Sequence, residues 1–182
     1  MTTLVALDRD AFVNHVEDVV AIWRAAFGEA AYAELDSETE RRAAAMIGHA
    51  QQEGFRAWCA VDDRTAIVGF AYGCTGRAGT YWHDTVSALL PPELAQRWLR
   101  GAFEVCELHV IPARQGEGIG RRLLRALVDA APGPTAVLST WQGDTRARRL
   151  YDSFGFDVIV DDITFIPRGH PYIVLGVDLP LP

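Results

Sequence analysis

The stretch Ala113-Arg-Gln-Gly-Glu-Gly-Ile-Gly-Arg-Arg-Leu-Leu-Arg-Ala-Leu127 puts glycines at 116, 118 and 120, where a helix must begin. Glycine weakens a helix interior by about 1 kcal/mol relative to alanine, so these glycines need a reason. Before them, Glu104-Val-Cys-Glu-Leu-His-Val-Ile111 reads as a strand; after them, Arg121 to Ala131 reads as a helix that stops at Pro132 and Gly133. A strand entering a glycine turn and then a helix makes an anion site. The first helical amides lack intrahelical acceptors and carry the positive end of the dipole. Without side chains in the way, those amides can reach a phosphate. The competing reading is a tight strand–helix connection that holds nothing.

The elements around this stretch describe an alternating chain. Phe12, Val16, Val19, Trp23 and Phe27 recur at helical spacing, with Asp10 as an expected N-cap and Gly28 as an expected stop. Ser37 and Glu40 have capping-box spacing, and a second helix runs on toward Gly54. Phe55 to Asp63 and Ala66 to Cys74 read as a hairpin across a polar turn at Asp62 to Thr65. An insertion at about residues 75–102 follows, long for a hairpin connection and containing a short helix begun by Pro91-Pro92. Beyond the glycine helix come a strand, Thr135 to Trp141, and a helix over Thr145 to Gly155 capped by Asp144. A closing strand pair flanks Pro167 to Pro171. The expected order is ααββ, insertion, βαβαββ: an α/β sheet forming one domain over residues 1–182.

Composition narrows the function. The 182 residues carry a formal charge of −7, which argues against nucleic acid and is compatible with a cationic substrate. All 17 basic residues are arginine, so neither a P-loop lysine nor Schiff-base chemistry is available. Cys59, Cys74 and Cys106 show no CxxC spacing. Cys59 and Cys106 lie in apolar strand-like runs and read as buried free thiols of a reducing compartment. The first residues lack the basic and apolar regions of a signal peptide, and no apolar run reaches membrane-span length. The expectation is a cytoplasmic protein with no membrane association. The five histidines show no metal-ligand spacing, so no metal is expected.

Familiar nucleotide patterns fit the glycines poorly. Read from Gly116, a GxGxxG fingerprint would need its third glycine at Arg121, and read from Gly118 at Leu123. Gln115-Gly116-Glu117-Gly118-Ile119-Gly120 instead matches Q/R-x-x-G-x-G/A, and it follows the strand residues Leu108, His109 and Val110. A second piece, Asp144 through Ala147, Tyr151, Gly155 and Phe156, is similar to N-x-x-A-x-x-x-Y-x-x-x-G-F. Together the two pieces resemble the GNAT superfamily of acyl-CoA-dependent N-acyltransferases. The match covers Glu104 to Phe156, and it departs from the family at Asp144, where asparagine is usual. Asp cannot donate an amide hydrogen bond.

The resemblance implies a mixed, mostly antiparallel central sheet flanked by helices and splayed at the acyl-CoA site. It implies acetyl-CoA as co-substrate. The pyrophosphate would lie on amides from Gln115, Gly116, Glu117, Gly118, Ile119, Gly120 and Arg121. The pantetheine would pair like an added strand with the backbone of Leu108, His109 and Val110, with Asp144 and Tyr151 also at the cofactor. A backbone amide near Val110 would hold the oxyanion. The reaction is transfer of an acetyl group to a primary amine, a small molecule being favoured, by direct attack in a ternary complex. Such an amine must lose a proton first, and a lysine-like amine has a pKa near 10.4. Glu104 is the preferred base and Glu107 the reserve, on opposite faces of the strand by alternation. Tyr151 is the expected acid for the leaving thiolate. As residues alone, Tyr151 beside Leu150 and Phe154 reads as core, and Glu104 reads equally as a surface or structural carboxylate. Trp82 and His83 in the insertion are expected to contact the acceptor, with loop packing as the plain alternative. His109 could act as a base, though a strand side chain satisfied by a neighbour is the simpler reading, and His170 between the last strands has a status like that of His83. A non-catalytic acyl-CoA-binding module and a protein N-acetyltransferase are the competing functions. Exposed strand edges would permit a homodimer.

Overall fold

The computed structural model describes residues 2–27, 36–165 and 169–181, with backbone alone for 27 and 36–39. Seven strands form one mixed, mostly antiparallel sheet, flanked by helices. In chain order they are β1 (Thr3–Leu7), β2 (Arg56–Val61), β3 (Ile67–Thr75), β4 (Phe103–Val110), β5 (Thr135–Trp141), β6 (Asp157–Ile163) and β7 (Tyr172–Asp178). Their hydrogen-bonded order is β1-β2-β3-β4-β5-β7-β6. The helices are α1 (Arg9–Asn14), α2 (Val16–Phe27), α3 (Asp36–Ala50), α4 (Tyr81–Ser87), α5 (Pro92–Leu99), α6 (Ile119–Asp129) and α7 (Arg146–Asp152). The chain divides into two compact units, Met1–Cys74 with Cys106–Ala130, and Thr75–Val105 with Ala131–Pro182.

In the first unit, β1 pairs antiparallel with β2 from Thr3 opposite Val61 to Leu7 opposite Ala57. The β2–β3 hairpin turns where the sequence predicts. Asp62 Oδ1 accepts from the amides of Arg64 and Ala66, each at 2.9 Å, and so closes the loop with its own side chain. Phe12, Val19, Trp23 and Met46 from the helices bury against Phe70 and Tyr72. Helix α6 presents Ile119, Leu123, Leu124, Leu127 and Val128 on one buried stripe, the 3.6-residue pattern that made it legible.

In the second unit, β5 pairs antiparallel with β7 along its whole length, from Thr135 opposite Asp178 to Trp141 opposite Tyr172. The parallel β4–β5 ladder covers two residue pairs, Phe103 with Ala136 and Glu104 with Val137. Val86 of α4 and Trp98 and Leu99 of α5 bury with Val137, Ile163 and Val174. The insertion therefore contributes to a core and is not a solvated excursion.

Several expectations change. Strand β1 was not expected. The first helix is capped by Asp8, whose carboxylate accepts from the Ala11 amide at 2.8 Å, rather than by Asp10, and it breaks at His15 into α1 and α2. Gly28, the expected stop, lies outside the described residues, as do Pro167 and Arg168. Ser37 falls inside α3 and not at its cap, and α3 ends at Ala50, before Gly54. The insertion holds α4 as well as the expected α5. Helix α7 is capped by Thr145, whose hydroxyl accepts from the Arg148 amide at 3.0 Å; Asp144 instead pairs with Arg149.

Candidate active site

Gly116 and Gly118 both adopt left-handed backbone, at φ +84° and +76°, and Gly118 is the N-cap of α6. A Cβ at either would meet nothing within 4 Å. The glycines are thus required by backbone conformation and not by packing, and their open side faces no neighbour. The Gly118 carbonyl accepts the first α6 bond, from Arg122 at 3.1 Å. The amides of Ile119, Gly120 and Arg121, ahead of Arg122, are the helix-start donors that an anion would use. Gln115 turns its side chain back and donates from Nε2 to the Val110 carbonyl at 3.0 Å, tying the turn to the end of β4. Arg114 and Glu117 pair at 2.8 Å across the turn.

On β4, Glu107 is the hub of a partly buried polar cluster in the first unit. Arg42 Nη1 of α3 donates to Glu107 Oε1 at 2.9 Å, and the His109 ring lies 2.6 Å from Oε2. Burial pushes the Glu107 carboxyl up. The hydrogen bond and charge of His109, with Arg42 and His49, outweigh that and hold it below its usual value. The His49 ring and Tyr72 hydroxyl meet at 3.1 Å beside this hub, and desolvation lowers the His49 pKa. Gly69 of β3 backs the strand end. A Cβ there would approach the His109 carbonyl oxygen to 3.0 Å and Val110 Cγ2 to 3.1 Å.

In the second unit, Glu104 also lies on β4, but its environment differs. Desolvation raises its carboxyl to about 7. A Cβ placed on Gly76 would stand 3.8 Å from Glu104 Oε2, so the bare glycine lies beside the carboxylate. Tyr151 is buried on α7, its ring 5.7 Å from that of Phe156. Trp82 is partly buried and donates from Nε1 to Ser139 Oγ at 3.2 Å, while His83 pairs with Asp84 at 3.1 Å. The Tyr81 hydroxyl donates to the Phe165 carbonyl, and His170 packs on Trp141 with ring centres 4.9 Å apart.

The chain is similar to known proteins. The model of the acetyltransferase (GNAT) family matches residues 16–156. A GCN5-like protein acetyltransferase of Mycobacterium tuberculosis is 32% identical over 169 residues, covering 77% of this chain and 82% of that protein. The chain belongs to the GNAT acetyltransferase family. The fold agrees with solved GNAT-like structures. A proposed acetyltransferase of Acinetobacter baylyi aligns at TM-score 0.70 with 17% identity over 100% of this chain and 95% of that one. A proposed acetyltransferase of Salmonella typhimurium, solved with its cofactor acetyl-CoA, aligns at TM-score 0.65 with 19% identity, covering 98% and 94%.

Within this GNAT chain the expected residues separate by unit. Leu108, His109, Val110, Glu107 and the turn 115–121 fall in the first; Glu104, Trp82, His83, Asp144 and Tyr151 fall in the second. His109 is satisfied by Glu107, as a strand histidine should be. Cys106, expected buried, is partly exposed. The sequence reading missed Arg42, His49, Tyr72 and Gly69. Arg42 and Glu107 lie 65 positions apart, beyond the reach of any local pattern. Among the described residues no cluster could hold a metal ion, and no helix is long and apolar enough to cross a membrane.

Proposed function

We propose that this GNAT acetyltransferase transfers the acetyl group of acetyl-CoA to a primary amine, with a small molecule as acceptor, by direct attack in a ternary complex. The open, left-handed Gly116–Gly118 turn at the start of α6 carries the reading. A side chain at either glycine would stand in open space, so their bare backbone leaves room for a pyrophosphate. Bound acetyl-CoA supplies an activated thioester, so the protein needs no covalent nucleophile. The amides of 115–121 hold the pyrophosphate, and the backbone of Leu108 to Val110 pairs with the pantetheine. The β4–β5 ladder covers Phe103 and Glu104, upstream of those three residues.

Glu104 takes the proton from the ammonium of the acceptor. A carboxyl raised to about 7 suits this better than Glu107, whose oxygens are engaged by Arg42 and His109. The Val110 amide holds developing negative charge on oxygen, and Tyr151 supplies the proton to the departing thiolate. Trp82 and His83 line the acceptor side. The protein acetyltransferase among the relatives favours a second reading, in which the amine belongs to a protein.

Thermal unfolding with acetyl-CoA, CoA, NAD and ATP, added singly, tests the cofactor. A ligand at 100 times its Kd stabilises the native state by about 2.7 kcal/mol. Acetyl-CoA and CoA should raise the midpoint while NAD and ATP do not; no shift at millimolar acetyl-CoA would sink the proposal. Tyr151→Phe then separates enzyme from binding module. It should retain the CoA-induced shift and lose at least about 100-fold in turnover against an amine panel. Screening free amines beside peptide amines on the same preparation distinguishes the two acceptor classes.

A further inference from the structure

Two cysteines of the first unit take no part in acetyl transfer. Cys74 on β3 and Cys106 on β4 are 32 positions apart, yet their Sγ atoms lie 3.8 Å from each other. Their strands are hydrogen-bonded neighbours. Neighbouring strands lie about 4.7–4.9 Å apart, and a disulfide bridges Cα atoms about 4.4–6.8 Å apart. Both cysteines are in the reduced, thiol state. Cys74 is 4% exposed, whereas Cys106 is partly exposed, so a small oxidant meets Cys106 first. The third cysteine provides an internal control. Cys59 is 2% exposed, and burial pushes its thiol pKa up.

We propose that Cys74 and Cys106 form a reversible thiol–disulfide site that responds to peroxide. The Cys106 sulfur, as thiolate, attacks one oxygen of hydrogen peroxide. The O–O bond breaks, one water leaves after protonation, and Cys106 becomes a sulfenic acid. The Cys74 sulfur then attacks the Cys106 sulfur. An S–S bond forms, the S–O bond breaks, and a second water carries away the remaining oxygen. Two thiols lose two electrons and one peroxide gains them, giving two waters. The bond draws the sulfurs from 3.8 Å to about 2.05 Å and links β3 to β4. A dithiol reductant reverses it by exchange. The site is a property of the thiols alone and does not depend on the acetyl-transfer reading.

The test treats the full chain with hydrogen peroxide, blocks remaining thiols under denaturing conditions, and reads intact mass and a peptide map. The expected result is loss of two hydrogens, a Cys74–Cys106 linked peptide, and Cys59 as the thiol still alkylated. Dithiothreitol restores all three thiols. In Cys74→Ser the second step has no partner, so dimedone should label Cys106 as sulfenic acid. Sulfinic or sulfonic acid on Cys106 of the parent chain without the linked peptide, a disulfide between two chains, or three unchanged thiols would each overturn the proposal.

Discussion

Glu104 and Glu107 are three positions apart on one strand and are treated oppositely. Glu107 is gripped by Arg42 and His109, and its carboxyl is held low. Glu104 is desolvated, and its carboxyl rises to about 7. A base works only when deprotonated, and a pKa close to the working pH balances availability against proton affinity. The expected consequence is a rate limb that rises with pH through about 7 and belongs to Glu104. Glu104→Gln preserves shape and removes the titration. It should lower kcat/KM by about 10²–10⁴-fold and abolish that limb, while acetyl-CoA still raises the unfolding midpoint. Steady-state kinetics across the pH range with one acceptor checks both. A variant within a few-fold of the parent, with the limb intact, would assign the base elsewhere.

At the scale of elements, the glycines divide into two physical classes. Gly118 at φ +76° has open space around a would-be Cβ, so Gly118→Ala costs only left-handed strain of about 1–2 kcal/mol. Gly133 at φ +100° is different, because a Cβ there collides with the backbone carbonyl oxygen of Gly101, which cannot swing aside. Gly133→Ala should therefore cost several kcal/mol, clearly more than Gly118→Ala, as measured by urea denaturation midpoints. Equal midpoints would show that the connection between α6 and β5 relaxes freely.

The same scale explains what could be read from sequence. Helix α6 was legible because its 3.6-residue periodicity states which face is buried, and β5 because Thr135–Trp141 is a short apolar run rich in strand-forming residues, buried continuously from Thr135 to Leu138. The glycine turn was legible because glycine tolerates left-handed backbone without strain. Strand β1 was not, since three of its five residues are exposed and its partner β2 lies some 50 positions away in sequence. Helix α4 was missed for a similar reason: of its seven residues, Val86 alone is fully buried. At α7, Asp144 and Thr145 are adjacent and both able to cap. The choice fell to Thr145 while Asp144 pairs with Arg149, a competition that spacing does not resolve. The Arg42–Glu107–His109 hub needed the third dimension.

Stability of the whole molecule responds to pH through the summed proton affinities of its shifted groups. Glu104 is raised from 4.5 to about 7, so in that window the folded chain holds a proton that the unfolded chain has released. Its contribution to stability therefore falls as pH rises from about 4.5 to about 7. Glu107 has the opposite sign: its stabilisation is present above its unfolded value near 4.5 and is lost as pH drops through its depressed folded value. His49, depressed below 6.5, stays neutral in the fold while the unfolded chain takes up a proton. Its contribution is accordingly lost as pH falls below 6.5, so His49 and Glu104 oppose each other just under that value. Glu104→Gln removes one side of that opposition. Relative to the parent, the variant should gain stability between about pH 4.5 and pH 7, with a ceiling of roughly 3 kcal/mol set by about 1.4 kcal/mol per pKa unit. Outside that window the difference should be flat. Urea midpoints of both proteins at about pH 4, 5, 6, 7 and 8 measure it. A gap that does not change with pH would mean that the Glu104 carboxyl keeps an ordinary affinity for its proton in the fold. The rising rate limb assigned to Glu104 would then lose its physical cause.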